Sequence, residues 1–226
     1  DKGVDQNTLV MFTSDNGPWF QGSPGRLRGR KGDTFEGGMR EPFIARFPIR
    51  IPAETPAAAN TRNPGRKVRV PASTLDLLPT IAGFAQAELT GNPLDGVDIG
   101  PVLTGQAHNV ERPLFLYFSG WDLQCARLGP WKLHMARGNV PAYTAEPKVG
   151  HFNLPLLNPE LYNVNLDPEE AEDLSAENPA IVAEIQRRVA QMLPSFPDEV
   201  QASWKRTQST PVRPNEPGAY PTPILP

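Results

Sequence analysis

Two hard-oxygen side chains stand side by side at Asp15 and Asn16, between the apolar run Leu9-Val10-Met11-Phe12 and the turn pair Gly17-Pro18. A carboxylate beside an amide carbonyl is a donor pair that Ca²⁺ or Mg²⁺ accepts. Asp-Asn-Gly is equally an ordinary turn, and these residues alone leave both readings open. Lys31 follows fifteen residues after Asn16, inside Arg26-Leu27-Arg28-Gly29-Arg30-Lys31-Gly32-Asp33-Thr34-Phe35-Glu36-Gly37-Gly38-Met39-Arg40-Glu41-Pro42. The five cations of this stretch sit among glycines. Glycine lets backbone approach a ligand closely, and a lysine offers a compact charge to an oxyanion. A solvated basic loop is the plain alternative. Folded back over the end of the strand before Asp15, the loop would turn a bound cation and an ammonium toward one cleft, which suits a sulfate or phosphate ester.

Other titratable side chains carry less. His108 lies in a polar loop and reads as solvated. His134 alternates with apolar neighbours in Lys132-Leu133-His134-Met135 and reads as decorating a strand face. His151 follows a glycine in the long loop from Gly138 to Leu157, where a surface role and a cleft-reaching role both stay open. The single cysteine, Cys125, excludes an intramolecular disulfide and any multi-cysteine metal cluster; its neighbours make it a strand residue in or near the core. Arg40 and Glu41 read as a buried pair, and Glu36 as a structural hydrogen-bonding group rather than an acid catalyst.

The elements that must position these residues begin with Leu9 to Phe12. An apolar run without alternation, stopped by a turn, reads as a strand buried on both faces of a parallel sheet, with Asp15 and Asn16 at its ligand-binding carboxyl end. Pro42 to Phe47 reads as a second short strand. Ser73 to Ala82 has apolar residues at helical spacing, Ser73 as a possible N-cap and Pro79 as a kink or break. Residues 48–71 and 92–105 read as loops. Leu114 to Phe118, Leu123 to Leu128 and Trp131 to Met135 are strand-like, with Leu128-Gly129-Pro130-Trp131 as a hairpin connection and Glu160 to Val164 as a fourth strand. Ile181, Ile185, Val189 and Met192 mark an amphipathic helix over Pro179 to Leu193. An antiparallel sheet with one packed helix is the simplest reading of that half. Beyond it the prolines and the lack of periodicity predict an extended tail.

Composition removes several classes. With 22 Lys and Arg against 25 Asp and Glu among 226 residues, the formal charge is −3. No global basic field recruits nucleic acid or anionic lipid. Mean hydropathy is −0.42, and no apolar stretch approaches the roughly 18 residues of a spanning helix. No secretory signal pattern opens the chain. The 27 prolines and 19 glycines demand many turns and short elements.

Thr13-Ser14-Asp15-Asn16-Gly17 followed by Leu27 to Pro42 resembles the type I sulfatases, the arylsulfatase group of the alkaline-phosphatase-like superfamily. The resemblance continues through Ser73 to Thr80, Leu94-Asp95-Gly96-Val97-Asp98 and Trp131-Lys132-Leu133, and ends at Glu160 to Glu170, covering about residues 8 to 192. It implies an α/β, alkaline-phosphatase-like fold. Residues 1–107 would be the C-terminal part of the large catalytic sheet domain, and 108–193 a small antiparallel sheet with one C-terminal helix; 194–226 remain as a proline-rich tail. It further implies sulfate-ester hydrolysis, with Asp15 and Asn16 as ligands of Ca²⁺ (or Mg²⁺) and Lys31 touching the sulfate. Some arylsulfatases bring a loop histidine near the substrate, the role His151 would take.

The family's nucleophile is a formylglycine made from Cys or Ser in a C/S-x-P-S-R segment, and this sequence has none; Ser23-Pro24-Gly25-Arg26 has the wrong spacing. The paired-aspartate strand that supplies the first two metal ligands is also missing, as are the family's upstream lysine and histidine. The chain therefore reads as the C-terminal portion of a sulfatase, inactive by itself. Two other readings stay open: a phosphate or phosphonate ester hydrolase of the same superfamily, and a non-catalytic anion-binding remnant. Family members are exported or lysosomal, and neither compartment, oligomeric state nor natural ester is legible here.

Overall fold

A computed structural model describes residues 2–52, 65–139 and 153–210. Contacts divide the chain into two units, Asp1–Asp15 with Glu41–Arg112, and Asn16–Arg40 with Pro113–Pro226. No helix among the described residues is long and apolar enough to cross a membrane.

In the first unit β1 (Val10–Thr13) pairs antiparallel with β2 (Phe43–Arg46), Phe12 facing Ile44. The expected parallel strand buried on both faces is not what forms. Burial alternates along β1, and Phe12 and Ile44 are 61 % and 62 % exposed. A continuous apolar run reports that a strand is oily but not which of its faces is covered. After the one-turn helix α1 (Glu36–Met39), which belongs to the second unit, Ser73 caps a 3₁₀ turn (Thr74–Asp76) that runs into α2 (Leu77–Ala85), and Asp76 returns the bond by accepting the Ser73 N–H at 2.8 Å. This is a capping box. Pro79 does not end the helix. It stands third in α2, in the first turn, where a missing N–H costs nothing. Residues 92–105, read as loop, contain the short α3 (Gly100–Thr104), which Gly105 ends at φ 85°. The Thr80 hydroxyl accepts the Ile99 N–H at 3.0 Å, and Phe47 meets Phe84 edge to face, joining these pieces into one small core.

The second unit is built on a four-stranded antiparallel sheet in the order β3 (Phe115–Ser119), β4 (Asp122–Leu128), β5 (Trp131–Gly138), β6 (Asn153–Asn163). The Gly-Pro hairpin joins β4 to β5 as expected, with Gly129 at φ 58°. β6 starts earlier than its apolar residues suggest and contains Pro155 and Pro159; an edge strand tolerates prolines because its outer N–H groups have no ladder partner.

Register sorts the side chains onto two faces. Leu116, Ala126, Leu133 and Leu161 lie on one, packed with Ile185 and Val189 of α4 (Pro179–Met192). Tyr117, Cys125, His134 and Lys132 lie on the other. Residues 198–209, expected to be extended, form α5. Its inward positions are Val200, Ser203 and Thr207, at helical spacing but mostly polar, so a hydrophobic pattern does not reveal them. Pro197 stands at its N-terminal boundary.

Candidate active site

Residues 16–40 form a knot of turns closed by backbone bonds. The Gly17 N–H donates to Gly38 O at 2.9 Å, the Gly37 N–H to Arg28 O at 2.7 Å and the Lys31 N–H to Pro18 O at 3.2 Å. Glycine is required at these crossings. A Cβ on Gly17 would lie 1.9 Å from Gly37 O, and one on Gly38 2.1 Å from Asp33 O. The tip is a turn in which the Arg30 N–H donates to Asp33 Oδ2 at 2.9 Å, with Gly32 at φ 93°. Burial raises the Asp33 carboxyl above its ordinary range, against the pull of the Arg30 N–H and the Arg28 charge. Lys31 is exposed on this turn. The segment that follows Asn16 and the segment that bears Lys31 are thus tied at the backbone.

Asp15 is exposed and lies in the first unit, two residues beyond the end of β1. Its neighbour there is Glu41. Burial raises the Glu41 carboxyl, the Ser14 hydrogen bond opposes this, and the Asp15 charge adds to the rise. Glu41 Oε1 is buried and accepts no hydrogen bond. Arg40 is exposed rather than part of a buried pair, and the Glu41 carboxylate faces Ser14 and Asp15. His108 is exposed, as expected, and His151 lies outside the described residues.

The underside of the knot rests on the polar face of the sheet. Lys132 Nζ lies 3.1 Å from both Glu36 Oε1 and Glu170 Oε1, and Glu170 Oε1 lies 2.6 Å from His134 Nε2. Glu170 Oε2 accepts the Glu36 N–H at 2.6 Å. On the other side of the ring, His134 Nδ1 is 3.2 Å from Cys125 Sγ. Thr34 Oγ1, 3.4 Å from that sulfur, donates to Gln124 Oε1 at 2.8 Å, and Gln124 donates in turn to Asn153 Oδ1. His134 does not decorate an open strand face: it is wholly buried. Glu36 is a structural group, as read, but an ionic one. The sequence reading assigned no role to Lys132 or Glu170, although both stand in segments that carried the family resemblance.

A sulfatase family model matches residues 1–87, and a model of the C-terminal region of aryl-sulfatase matches residues 110–219. Arylsulfatase A of Bos taurus is 38 % identical over 183 residues, covering 75 % of this chain and 34 % of that protein. Arylsulfatase G of Homo sapiens is 32 % identical over 240 residues, covering 95 % and 43 %. This chain belongs to the sulfatases. A solved sulfatase from Pseudoalteromonas sp. superposes with a TM-score of 0.63 at 26 % identity, covering 84 % of this chain and 38 % of that one. The fold is the α/β sulfatase fold of the alkaline-phosphatase-like superfamily. The chain spans between about a third and two fifths of the length of these curated relatives.

As a sulfatase chain, its donor set fits part of a hard-cation site. Asp15 brings a carboxylate, Asn16 an amide oxygen, and the mutual repulsion of Asp15 and Glu41 is the field a cation would relieve. Among the described residues no three His, Cys, Asp or Glu side chains gather as a metal site, while Ca²⁺ takes about six to eight oxygens. These residues fit a share of the shell and no more.

Cys125, His134 and Glu170 have the spacing of a nucleophile, a base and an orienting carboxylate. The sulfatase chain does not use them that way. All three are fully shielded from solvent, and burial pushes the thiol up to about 12.

The same burial makes the cluster a pH-dependent part of stability. It lowers His134 to about 4, with Glu170 pulling upward and Lys132 and Arg137 adding to the fall. Burial alone would raise Glu170, but the His134 hydrogen bond and the Lys132 charge hold it below its usual range. The unfolded chain therefore binds more protons below about pH 6.5. The His134 contribution, on the order of 3 kcal/mol, is complete above about 6.5 and is lost as pH falls to about 4; that of Glu170 is lost lower still. Thermal melts from pH 7 to 4 should show Tm falling through this window, and His134→Asn should flatten the slope. A slope that stays the same in His134→Asn would place the proton uptake elsewhere.

Proposed function

We propose that the complete protein hydrolyses sulfate esters, and that this chain contributes Lys31, Asp15 and Asn16 to the reacting centre. The observation that carries the reading is the glycine-packed knot of residues 17–38, which ties the Lys31 backbone to Pro18, just past Asn16. Lys31 holds a sulfate oxygen and orients the ester. Asp15 and Asn16 hold Ca²⁺ (or Mg²⁺), which when bound offsets charge on the sulfuryl oxygens. The nucleophile is a formylglycine that this sequence does not encode, and His151 is a further candidate for the substrate side. The arylsulfatase names of the relatives support the reaction class.

Two measurements test this. The complete protein should turn over p-nitrophenyl sulfate faster than p-nitrophenyl phosphate; the reverse order would make it a phosphatase. In a calcium titration Asp15→Ala should weaken binding more than Asn16→Ala, because it removes the charge. The loss should be at least the roughly ten- to hundredfold of an outer-sphere partner. Unchanged affinity in Asp15→Ala would remove it from the ligand set.

A further inference from the structure

The polar face of the four-stranded sheet is the part of this molecule that its chemistry leaves unexplained. A one-sided antiparallel sheet normally turns its polar residues to water. Here Lys132 and His134 are 0 % exposed, because residues 28–36 lie over them. Five ties link that segment to the rest of the unit. Glu36 uses its carboxylate on Lys132 and its N–H on Glu170; Thr34 reaches Gln124; Arg28 Nη1 donates to Glu170 O at 3.1 Å; and Arg127 stands 4.0 Å from Glu36 Oε2. Lys132 also lies 4.5 Å above the Tyr117 ring. Two carboxylates and the Lys132 ammonium share a space closed to solvent, with Arg127 at its margin.

Glu170 adds a second, independent sign. It is a non-glycine residue at φ 52°, in the left-handed region that side chains avoid. Such strain persists only where surrounding contacts over-determine the position. Glu170 meets this condition, since its two carboxylate oxygens and its carbonyl are all used, on Lys132, His134, Glu36 and Arg28.

A buried ion cluster is a poor device for stability alone, since apolar packing of equal volume does as well or better. What it supplies is one allowed arrangement: slide the segment by one residue and a charge is stranded. We infer that the Lys132–Glu36–Glu170 cluster is a positioning device, which locks residues 28–36 onto the sheet and thereby sets where Lys31, within that segment, presents its ammonium. The inference rests on Lys31 being the sulfate contact proposed above. Lys132 acts through Lys31 and never meets the substrate. The C-terminal sheet is then a working part of the sulfate site rather than an appendage to it.

The test is a double-mutant cycle in the complete enzyme, with p-nitrophenyl sulfate as substrate and inorganic sulfate as inhibitor. Lys132→Met keeps the stem and removes the charge. It should lower kcat/KM by up to about a hundredfold, the size of a misplacement near 1 Å, and raise the inhibition constant of sulfate. In a Lys31→Ala background the same substitution should do little more, because the group it positions is gone. Additive losses would overturn the proposal. Hydrogen exchange gives a readout independent of turnover: in Lys132→Met, or in the size-conserving Glu36→Gln, amides of residues 28–38 should exchange faster while those of α4 stay unchanged. Equal acceleration in α4 would mean general loosening and would also overturn it. If the unsubstituted enzyme leaves the aryl sulfate untouched, the sulfatase reading fails by itself, and the exchange pattern still decides whether Lys132 holds the segment.

Discussion

Lys31→Ala in the complete enzyme is expected to lower kcat/KM for an aryl sulfate by roughly a hundred- to a thousandfold, the usual loss of one preorganised charge-stabilising group. The loss should fall mainly on kcat if the ammonium meets charge that grows toward the transition state, and on KM if it only holds the ground-state ester. Lys31 is exposed on a turn whose geometry is set by backbone bonds and by Asp33, so its removal should leave Tm nearly unchanged. That separation makes the result readable. Lys31→Arg should restore little, because a planar fork does not replace a compact ammonium. A kcat/KM within about threefold of the parent, less than 1 kcal/mol of barrier, would take Lys31 out of the site.

The largest expected loss of stability lies in the other unit, at Asp76. Its carboxylate is wholly buried and takes four bonds: both oxygens lie 2.6 Å from Arg112 Nη2, Oδ2 accepts the Ser73 N–H and Oδ1 accepts the Val97 N–H at 2.9 Å. One side chain therefore closes the capping box of the 3₁₀ turn that leads into α2, holds Val97 against that turn and neutralises a guanidinium that is itself almost fully buried. Asp76→Ala takes the carboxylate away from the buried Arg112 guanidinium and leaves two backbone donors without their acceptor, a loss of about 3–5 kcal/mol from a typical total of about 5–15. Urea unfolding at neutral pH would measure it. Arg112→Met should cost less, because Asp76 keeps its two backbone N–H partners. If Asp76→Ala lost under about 1 kcal/mol, the carboxylate would be doing no more than an ordinary helix cap.

Much of this was legible from residue types. The N-cap at Ser73 and the Gly129-Pro130 hairpin rest on local chemistry, and both formed. So did the amphipathic α4, whose Ile185 and Val189 are buried. The family was legible too, because Thr13 to Gly17 followed by Leu27 to Pro42 resembles the type I sulfatases. The failures have a common cause. Val10 to Phe12 looked buried on both faces, His134 looked like an ornament on an open strand, and residues 198–209 looked extended. In each case the answer depends on which distant segment lies against the element, and periodicity is silent on that.

The sequence by itself determined most of the element types, the sulfatase family and the residues offered for metal and sulfate. Their reach is local: a cap, a turn or a glycine crossing involves neighbours along the chain. Only the tertiary structure decided that Lys132, Glu36, Glu170 and His134 form one sealed cluster, since Glu36 and Lys132 are ninety-six positions apart. A buried charge is tolerable only with its partner present, and no pattern within either segment names that partner.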